Sequence, residues 1–315
     1  MSIPFYLAIA LILAMAGVCV YNFVTGENIL FIWWRAFEVR RADLATLDRK
    51  ASGASHSDII VSLTTTPSRI STLQLTLKSL LLQSRLPREI RLNLPHVSIR
   101  ERVSYDIPTW LSELTSVHII RCEDIGPATK FLPTLLAAQD YQPVVVVDDD
   151  RIYPSCLIET LEKAATQNSQ VALATCGWVV PGDLIDRPTD FSRLMPKPSA
   201  PILGTTIRNW RPVDILKGVG GYLIRPCFFN LEQLSNTSSA PTEAFYADDI
   251  WLSGHCKVDK YVIPIRQCDF APKWLQGHFK ATSLGRLDED KRRNTATLAY
   301  FEPQTWRVGG PLNVS

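Results

Sequence analysis

No two of the seven cysteines stand three residues apart, so the chain has no CxxC pair on which a zinc ribbon or thioredoxin-type redox site is built. An odd, dispersed set of thiols reads as reduced side chains, mostly interior. A surplus of one charge sign is missing as well. The 33 Lys+Arg stand against 31 Asp+Glu, a formal net charge of +2. That argues against the basic face of a nucleic-acid binder, and no nucleic-acid partner is expected. With 15 Gly and 21 Pro in 315 residues, the chain is neither collagen-like nor low-complexity. At 46% hydrophobic it is not wholly disordered. No internal repeat is found. One large α/β domain, or two smaller ones, fits the length.

Charge is also absent locally. Residues 1–26 hold no Asp, Glu, Lys or Arg, and 3–24 are nearly all apolar. A spanning helix needs roughly 20 such residues at about 1.5 Å each. The run is long for a signal-peptide core, and no Lys or Arg precedes it. Residues 1–26 therefore read as an uncleaved, single-pass membrane anchor. The basic residues Arg35, Arg40, Arg41, Arg49 and Lys50 all follow it. By the positive-inside rule they favour the cytosolic side for the rest of the chain. An anchor, stem and domain in series is equally the layout of Golgi enzymes. Asn236-Thr237-Ser238 and Asn313-Val314-Ser315 would be N-glycosylation sites on a lumenal domain. Residues 29–34 (ILFIWW) read as an interfacial stretch with indoles at headgroup depth. Residues 27–57 as a whole read as a juxtamembrane stem.

From Asp58 the pattern alternates strand and helix. Short apolar runs at 59–63, 89–94, 117–121 and 144–147 read as buried strands. Helical spacing follows at 70–83 and 129–139, the second with Pro133 in its first turn. Beyond Gly177 the chain turns irregular. It recovers a strand at 219–224, a helix over 242–254 and a strand at 261–265. Continuous apolar strands alternating with helices predict a mostly parallel sheet covered on both faces.

The most informative segment is four valines followed by three acids, Val144 to Asp150. In open α/β sheets, ligands bind beyond the carboxyl ends of the strands. Three adjacent carboxylates there repel, and a hard divalent cation offsets them through oxygen ligands. If the extended geometry persisted, Asp148 and Asp150 would face one ligand and Asp149 would point away. The bland alternative is a solvated turn capping the next helix.

That segment resembles the DxD motif of glycosyltransferases with the GT-A fold, the family-2-like enzymes that use nucleotide-sugar donors. Other pieces match in the expected order. Residues 60–69 (IVSLTTTPSR) resemble the first strand and nucleotide-contacting loop. Residues 79–87 (SLLLQSRLP) resemble the first helix and its exit, and 126–133 (GPATKFLP) a "GP..K" segment ahead of the DxD strand. Residues 247–252 (ADDIWL) resemble an acidic motif opening a helix near the acceptor. The resemblance covers residues 58–280, the expected catalytic domain, and leaves 281–315 as a C-terminal helix and tail.

It implies a Rossmann-like sheet of GT-A type and transfer of a sugar from a nucleoside diphosphate to a hydroxyl acceptor. That acceptor would be a glycan, a lipid or a small molecule. Negative charge builds on the leaving diphosphate, so a divalent cation, Mg²⁺ or Mn²⁺, is expected. Asp148 and Asp150 are its expected ligands, with His278 as a further one. Imidazole suits Mn²⁺ better than Mg²⁺. Asp148, Thr64, Arg69 and Lys130 are expected at the donor. Asp249, with Asp248 beside it, is the expected general base in an inverting transfer. Each has a plainer reading: Lys130 as a surface lysine, Asp248-Asp249 as helix-capping acids, His278 as a structural imidazole. Residues 218–222 (GVGGY) read as a glycine strand admitting a sugar, or as a bulge. Trp178 and Trp251 read as sugar platforms or as core. A metal-dependent nucleotidyltransferase or phosphohydrolase would share the sheet and triplet, without needing the Asp248-Asp249 helix. A non-catalytic nucleotide-sugar-binding membrane protein is the third alternative.

Overall fold

A computed structural model describes residues 3–187, 200–266 and 289–306. Helix α1 (Ile3–Thr25) is followed by α2 (Ile29–Arg41) and α3 (Leu44–Ser52). Strands β1 (Ile60–Thr64), β2 (Glu89–Pro95) and β3 (Val117–Cys122) alternate with α4 (Leu73–Leu81) and the short α5 (Thr109–Ser112). Then come α6 (Leu132–Ala137), β4 (Val144–Val146), α7 (Leu157–Gln167), β5 (Ala172–Ala174) and β6 (Cys176–Trp178). Short strands β7 (Ile202–Leu203), β8 (Arg211–Pro212), β9 (Ile215–Leu216) and β10 (Tyr222–Ile224) follow. Helices α8 (Leu231–Ser235) and α9 (Asp248–His255), strand β11 (Lys260–Val262) and helix α10 (Glu289–Tyr300) complete the described chain.

Eight strands form one sheet in the order β3-β2-β1-β4-β10-β5-β11-β8. β1 pairs in parallel with β2 and β4, β2 with β3, and β5 with β11. β10 runs antiparallel between β4 and β5, and β8 runs antiparallel at the edge. The sheet is therefore mostly parallel, with helices on both faces. β7-β6-β9 form a separate small antiparallel sheet.

The valine run shows how two-sided burial arises. Side chains alternate across a strand. Val145 and Val147 join the cluster of Leu73, Leu77, Leu80, Leu157 and Leu161 from α4 and α7. Val144 and Val146 join Leu132, Leu135, Trp251 and Leu252 from α6 and α9. All four valines are fully buried. Trp178 and Trp251 are also buried, and the Trp251 indole N–H donates to Leu234 O at 3.0 Å. They are core residues rather than sugar platforms.

The stretch read as a stem is helical and docked. α2 buries Ile32, Arg35, Ala36 and Val39, a stripe at helical spacing. Val39 and Ala36 pack with Ile152, Leu75 and Leu82. The Arg35 guanidinium donates to the carbonyls of Tyr153 (3.2 Å), Ser79 (3.1 Å) and Leu82 (3.1 Å), and pairs with Glu38 at 2.7 Å. α3 is capped by Asp43 and buries Leu44 and Ala51 against the main core. Asp48 accepts from the backbone N–H of Thr115 and Ser116. α1 is long and apolar enough to cross a membrane, and none of its most apolar stretch is buried against the rest of the chain.

Candidate active site

Three chain segments meet beyond the carboxyl ends of β1 and β4. The β1–α4 loop brings Thr65 and Arg69, the residues after β4 bring the acidic triplet, and α9 opens with Asp248 and Asp249. A turn at Gly126–Lys130 adds the fourth wall. They enclose a cavity of about 340 Å³. Its lining includes six carboxylates, Asp124, Asp148, Asp149, Asp150, Asp248 and Asp249, and four cations, Arg69, Arg100, Lys130 and Arg151. The surplus is two negative charges.

Two of the cations divide five acids between them. Lys130 Nζ lies 2.5 Å from Asp248, 3.0 Å from Asp148 and 3.2 Å from Asp249. Arg69 Nη2 bridges Asp149 at 2.8 Å and Asp150 at 2.7 Å. Lys130 is thus no surface lysine; its side chain is only 8% exposed. Burial alone would lower its pKa, but Asp148, Asp248 and Asp249 override this and keep the ammonium charged. Burial pushes the Asp149 carboxyl up to about 6, with Arg69 and the Thr65 hydroxyl pulling the other way. Burial likewise raises Asp249 to about 6 against the pull of Lys130. At Asp148 burial is outweighed by Lys130, and the carboxyl stays below its ordinary range. Asp148 keeps 30% and Asp249 24% of its side chain accessible, so both carboxylates reach the cavity.

The backbone is fitted to this cluster. Gly218 N–H donates to both oxygens of Asp249, at 3.2 and 3.1 Å. A Cβ at Gly218 would lie 2.6 Å from Lys130 Nζ and 2.7 Å from Asp148 Oδ1. A larger residue there would push on both charged groups. Gly221 has φ +81°, a left-handed conformation that turns the chain into β10. The segment read as a glycine strand is therefore a 3₁₀ turn (Gly218–Gly220) followed by a strand.

Two expectations change. Asp148 and Asp150 do not share a partner: Asp148 faces Lys130, while Asp149 and Asp150 share Arg69. The strand ends at Val146, so the alternation that would pair residues two apart no longer holds. Thr64 lines the cavity, but its hydroxyl donates to Asn93 O on β2 at 2.7 Å. The next residue, Thr65, turns toward the acids and donates to Asp149 at 2.5 Å. His278 lies outside the described residues.

Sequence reasoning missed Thr65, Tyr153, Arg100, Arg151, Tyr105, Phe245 and Tyr246. Tyr153 is fully buried; its hydroxyl accepts from Asp148 N–H at 2.8 Å and donates to Gly218 O at 3.2 Å. It ties the triplet to the glycine turn. Its apolar neighbour Ile152 and following Pro154 gave no sign of this. Phe245 lies over Gly126, where a Cβ would meet the ring at 2.6 Å. Gly126 also has φ +68°.

Among the described residues, no group of three or more His, Cys, Asp or Glu side chains is arranged to hold a metal ion. The donor chemistry nevertheless fits a hard cation of the Mg²⁺ type. Such ions take one or two carboxylates and complete their shell with water and substrate phosphates. The surplus of two negative charges in the cavity equals the charge of one such ion.

No family model matches the chain, and no curated protein matches it. Solved structures with a distant likeness include a mannosyltransferase, PcManGT, from Pyrobaculum calidifontis in complex with GDP-Man and Mn²⁺. It is 16% identical, with a TM-score of 0.42, covering 92% of this chain and 79% of that one. A 4-diphosphocytidyl-2C-methyl-D-erythritol synthase is 11% identical, with a TM-score of 0.37, over 78% of this chain and 100% of that one. The bifunctional IspDF from Campylobacter jejuni is 9% identical, with a TM-score of 0.34, over 67% of this chain and 50% of that one.

Proposed function

We propose that the chain is a membrane-anchored glycosyltransferase of GT-A type, moving a sugar from a nucleoside-diphosphate donor to a hydroxyl. The observation that carries this reading is the meeting of Asp248 and Asp249 with Asp148 on Lys130. A nucleotidyltransferase or phosphohydrolase needs the triplet but not a second acidic pair joined to it. In the proposal Asp148 and Asp150 hold a Mg²⁺ or Mn²⁺, and the resemblance alone adds His278. When bound, that ion supplies positive charge to the leaving diphosphate.

The remaining chemistry belongs to the chain's own side chains. Arg69 and Lys130 fix the carboxylates of the donor end and keep their mutual repulsion in check. Arg100 and Arg151 line the same cavity, and in the proposal they bind the donor's diphosphate. Asp249, held by Gly218 N–H and Lys130, takes the proton of the acceptor hydroxyl. The acceptor oxygen then bonds to the anomeric carbon. The bond from that carbon to the diphosphate oxygen breaks, and the diphosphate leaves with the electron pair. The burial of Lys130, 8% exposed, strengthens its contacts with the three acids.

The test is a panel of nucleotide-sugar donors, with release of nucleoside diphosphate measured with and without Mn²⁺. Metal-dependent turnover of one donor, and none of nucleoside triphosphates, is expected. Turnover of triphosphates instead would replace this reading with the nucleotidyltransferase one.

A further inference from the structure

Two apolar surfaces have no protein partner among the described residues, one on α2 behind the acidic loop and one at the cavity rim. The first is the outer face of α2. Leu30, Trp33, Trp34 and Phe37 recur at helical spacing, and each is at least half exposed. The opposite stripe, Ile32, Arg35, Ala36 and Val39, is buried in the domain. An α2 helix therefore has two apolar faces, of which the protein covers one. It is continuous with α1 through a pinned elbow. Gly26 has φ +72°, Ile29 N–H donates to Asn22 Oδ1 at 3.0 Å, and the Tyr21 hydroxyl donates to Glu27 at 3.1 Å. Arg40 and Arg41 close α2, and the Arg41 guanidinium lies 5.2 Å from the Phe37 ring centre. Indoles beside cations suit the headgroup layer of an anionic bilayer.

The second surface is the finger 96–105 at the cavity rim. Val97, Ile99 and Val103 are half or more exposed. Arg100 and Arg102 are exposed between them. The finger is held in place rather than loose. Ile99 N–H donates to Asp124 at 2.6 Å, Ser68 donates twice to Glu101, and the Tyr105 hydroxyl donates to Thr65 O at 2.9 Å. Ser98, Arg100 and Tyr105 line the cavity itself. An apolar, basic rim thus opens onto the acids.

The α2 surface is tied to the acidic loop. Arg35, on the inner side of α2, donates to Tyr153 O, and the Tyr153 hydroxyl accepts from Asp148 N–H. A single buried residue, Tyr153, links α2 to the triplet. We propose that the acceptor hydroxyl is carried by a lipid of the bilayer, which reaches the cavity along the 96–105 finger while α2 lies in the headgroup layer. The proposal rests on the glycosyltransferase reading. It commits that reading to a membrane-borne acceptor, and the occupant of both surfaces is the bilayer, because α2 continues directly from α1, a helix long and apolar enough to cross one.

The experiment uses the full chain reconstituted in phosphatidylcholine/phosphatidylglycerol vesicles doped with the total lipid extract of its source cells. Labelled nucleotide-sugar is added, and label is counted in the organic and aqueous phases. Label in the organic phase is expected, and aqueous extract of the same cells should add none. The triple variant Val97→Ser/Ile99→Ser/Val103→Ser should lower organic-phase label about tenfold, the loss of part of the burial of three aliphatic side chains. Its metal-dependent donor hydrolysis should be unchanged, which also shows that it is folded. Label only in water-soluble product overturns the proposal, as does an undiminished triple variant. Quenching by brominated phosphatidylcholine gives an independent reading. Wild type should be quenched more than Trp33→Phe/Trp34→Phe, and equal quenching overturns the seating of α2. Absence of donor turnover in every preparation would instead count against the glycosyltransferase reading.

Discussion

The Lys130 half and the Arg69 half of the cavity solve the same problem differently. Lys130 is a point charge that three carboxylates share, and they come from distant parts of the chain: Asp148 from the triplet, Asp248 and Asp249 from α9. Arg69 is a planar fork between two neighbours, Asp149 and Asp150, on a single loop. The first arrangement joins separate elements and carries the larger surplus of negative charge. The second joins just two loops, those after β1 and β4, and is nearly balanced, with Arg151 also 3.7 Å from Asp150. A charge-rich half and a nearly balanced half should therefore fail in different ways.

Removing the central cation breaks the comparison most sharply. Lys130→Met leaves three carboxylates facing one another in a buried site, and should cost about 3–5 kcal/mol of stability. Arg69→Met should cost less, about 1–3 kcal/mol, because its two acids keep other partners. Urea denaturation of both variants checks this, and equal losses would erase the distinction. Next in size is Gly218→Ala, whose methyl has no room beside Lys130 and Asp148. It should cost about 1–3 kcal/mol and disturb the Lys130 half, leaving the Arg69 half intact. The smallest contrast separates two adjacent hydroxyls. Thr65→Val loses a bond to a buried carboxylate, about 1.5–3 kcal/mol, whereas Thr64→Val loses one to a backbone carbonyl, about 0.5–1.5 kcal/mol. Thermal midpoints of the pair measure the difference.

The same contrast explains how far the sequence could be read. The four valines announced a buried strand, and the three acids after them announced a charged cluster beyond its end, because both signals are local. Strand order and the antiparallel insertion of β10 were not legible, since nothing near Tyr222–Ile224 encodes its neighbours. Asp248 and Asp249 were picked out by their own helix opening, yet their meeting with Lys130 depends on packing across more than a hundred residues. Thr64 was chosen and Thr65 passed over because the strand ends between them and side-chain alternation ends with it. The segment 27–57 looked like a stem because its polar residues mask the spacing of Leu44, Leu47 and Ala51, which dock α3. Arg35 looked like one more membrane-flanking charge. Its burial follows from three carbonyls that only the fold brings near it.

The central claim is that the triplet serves the donor and α9 serves the acceptor. Metal-dependent donor binding, measured by titration calorimetry beside turnover in Asp150→Asn and Asp249→Asn, tests it most directly. Asp249→Asn should keep metal-dependent donor binding while transfer falls about 10²–10⁴-fold. Asp150→Asn should lose metal-dependent donor binding itself. Donor binding lost in Asp249→Asn and kept in Asp150→Asn would contradict the account.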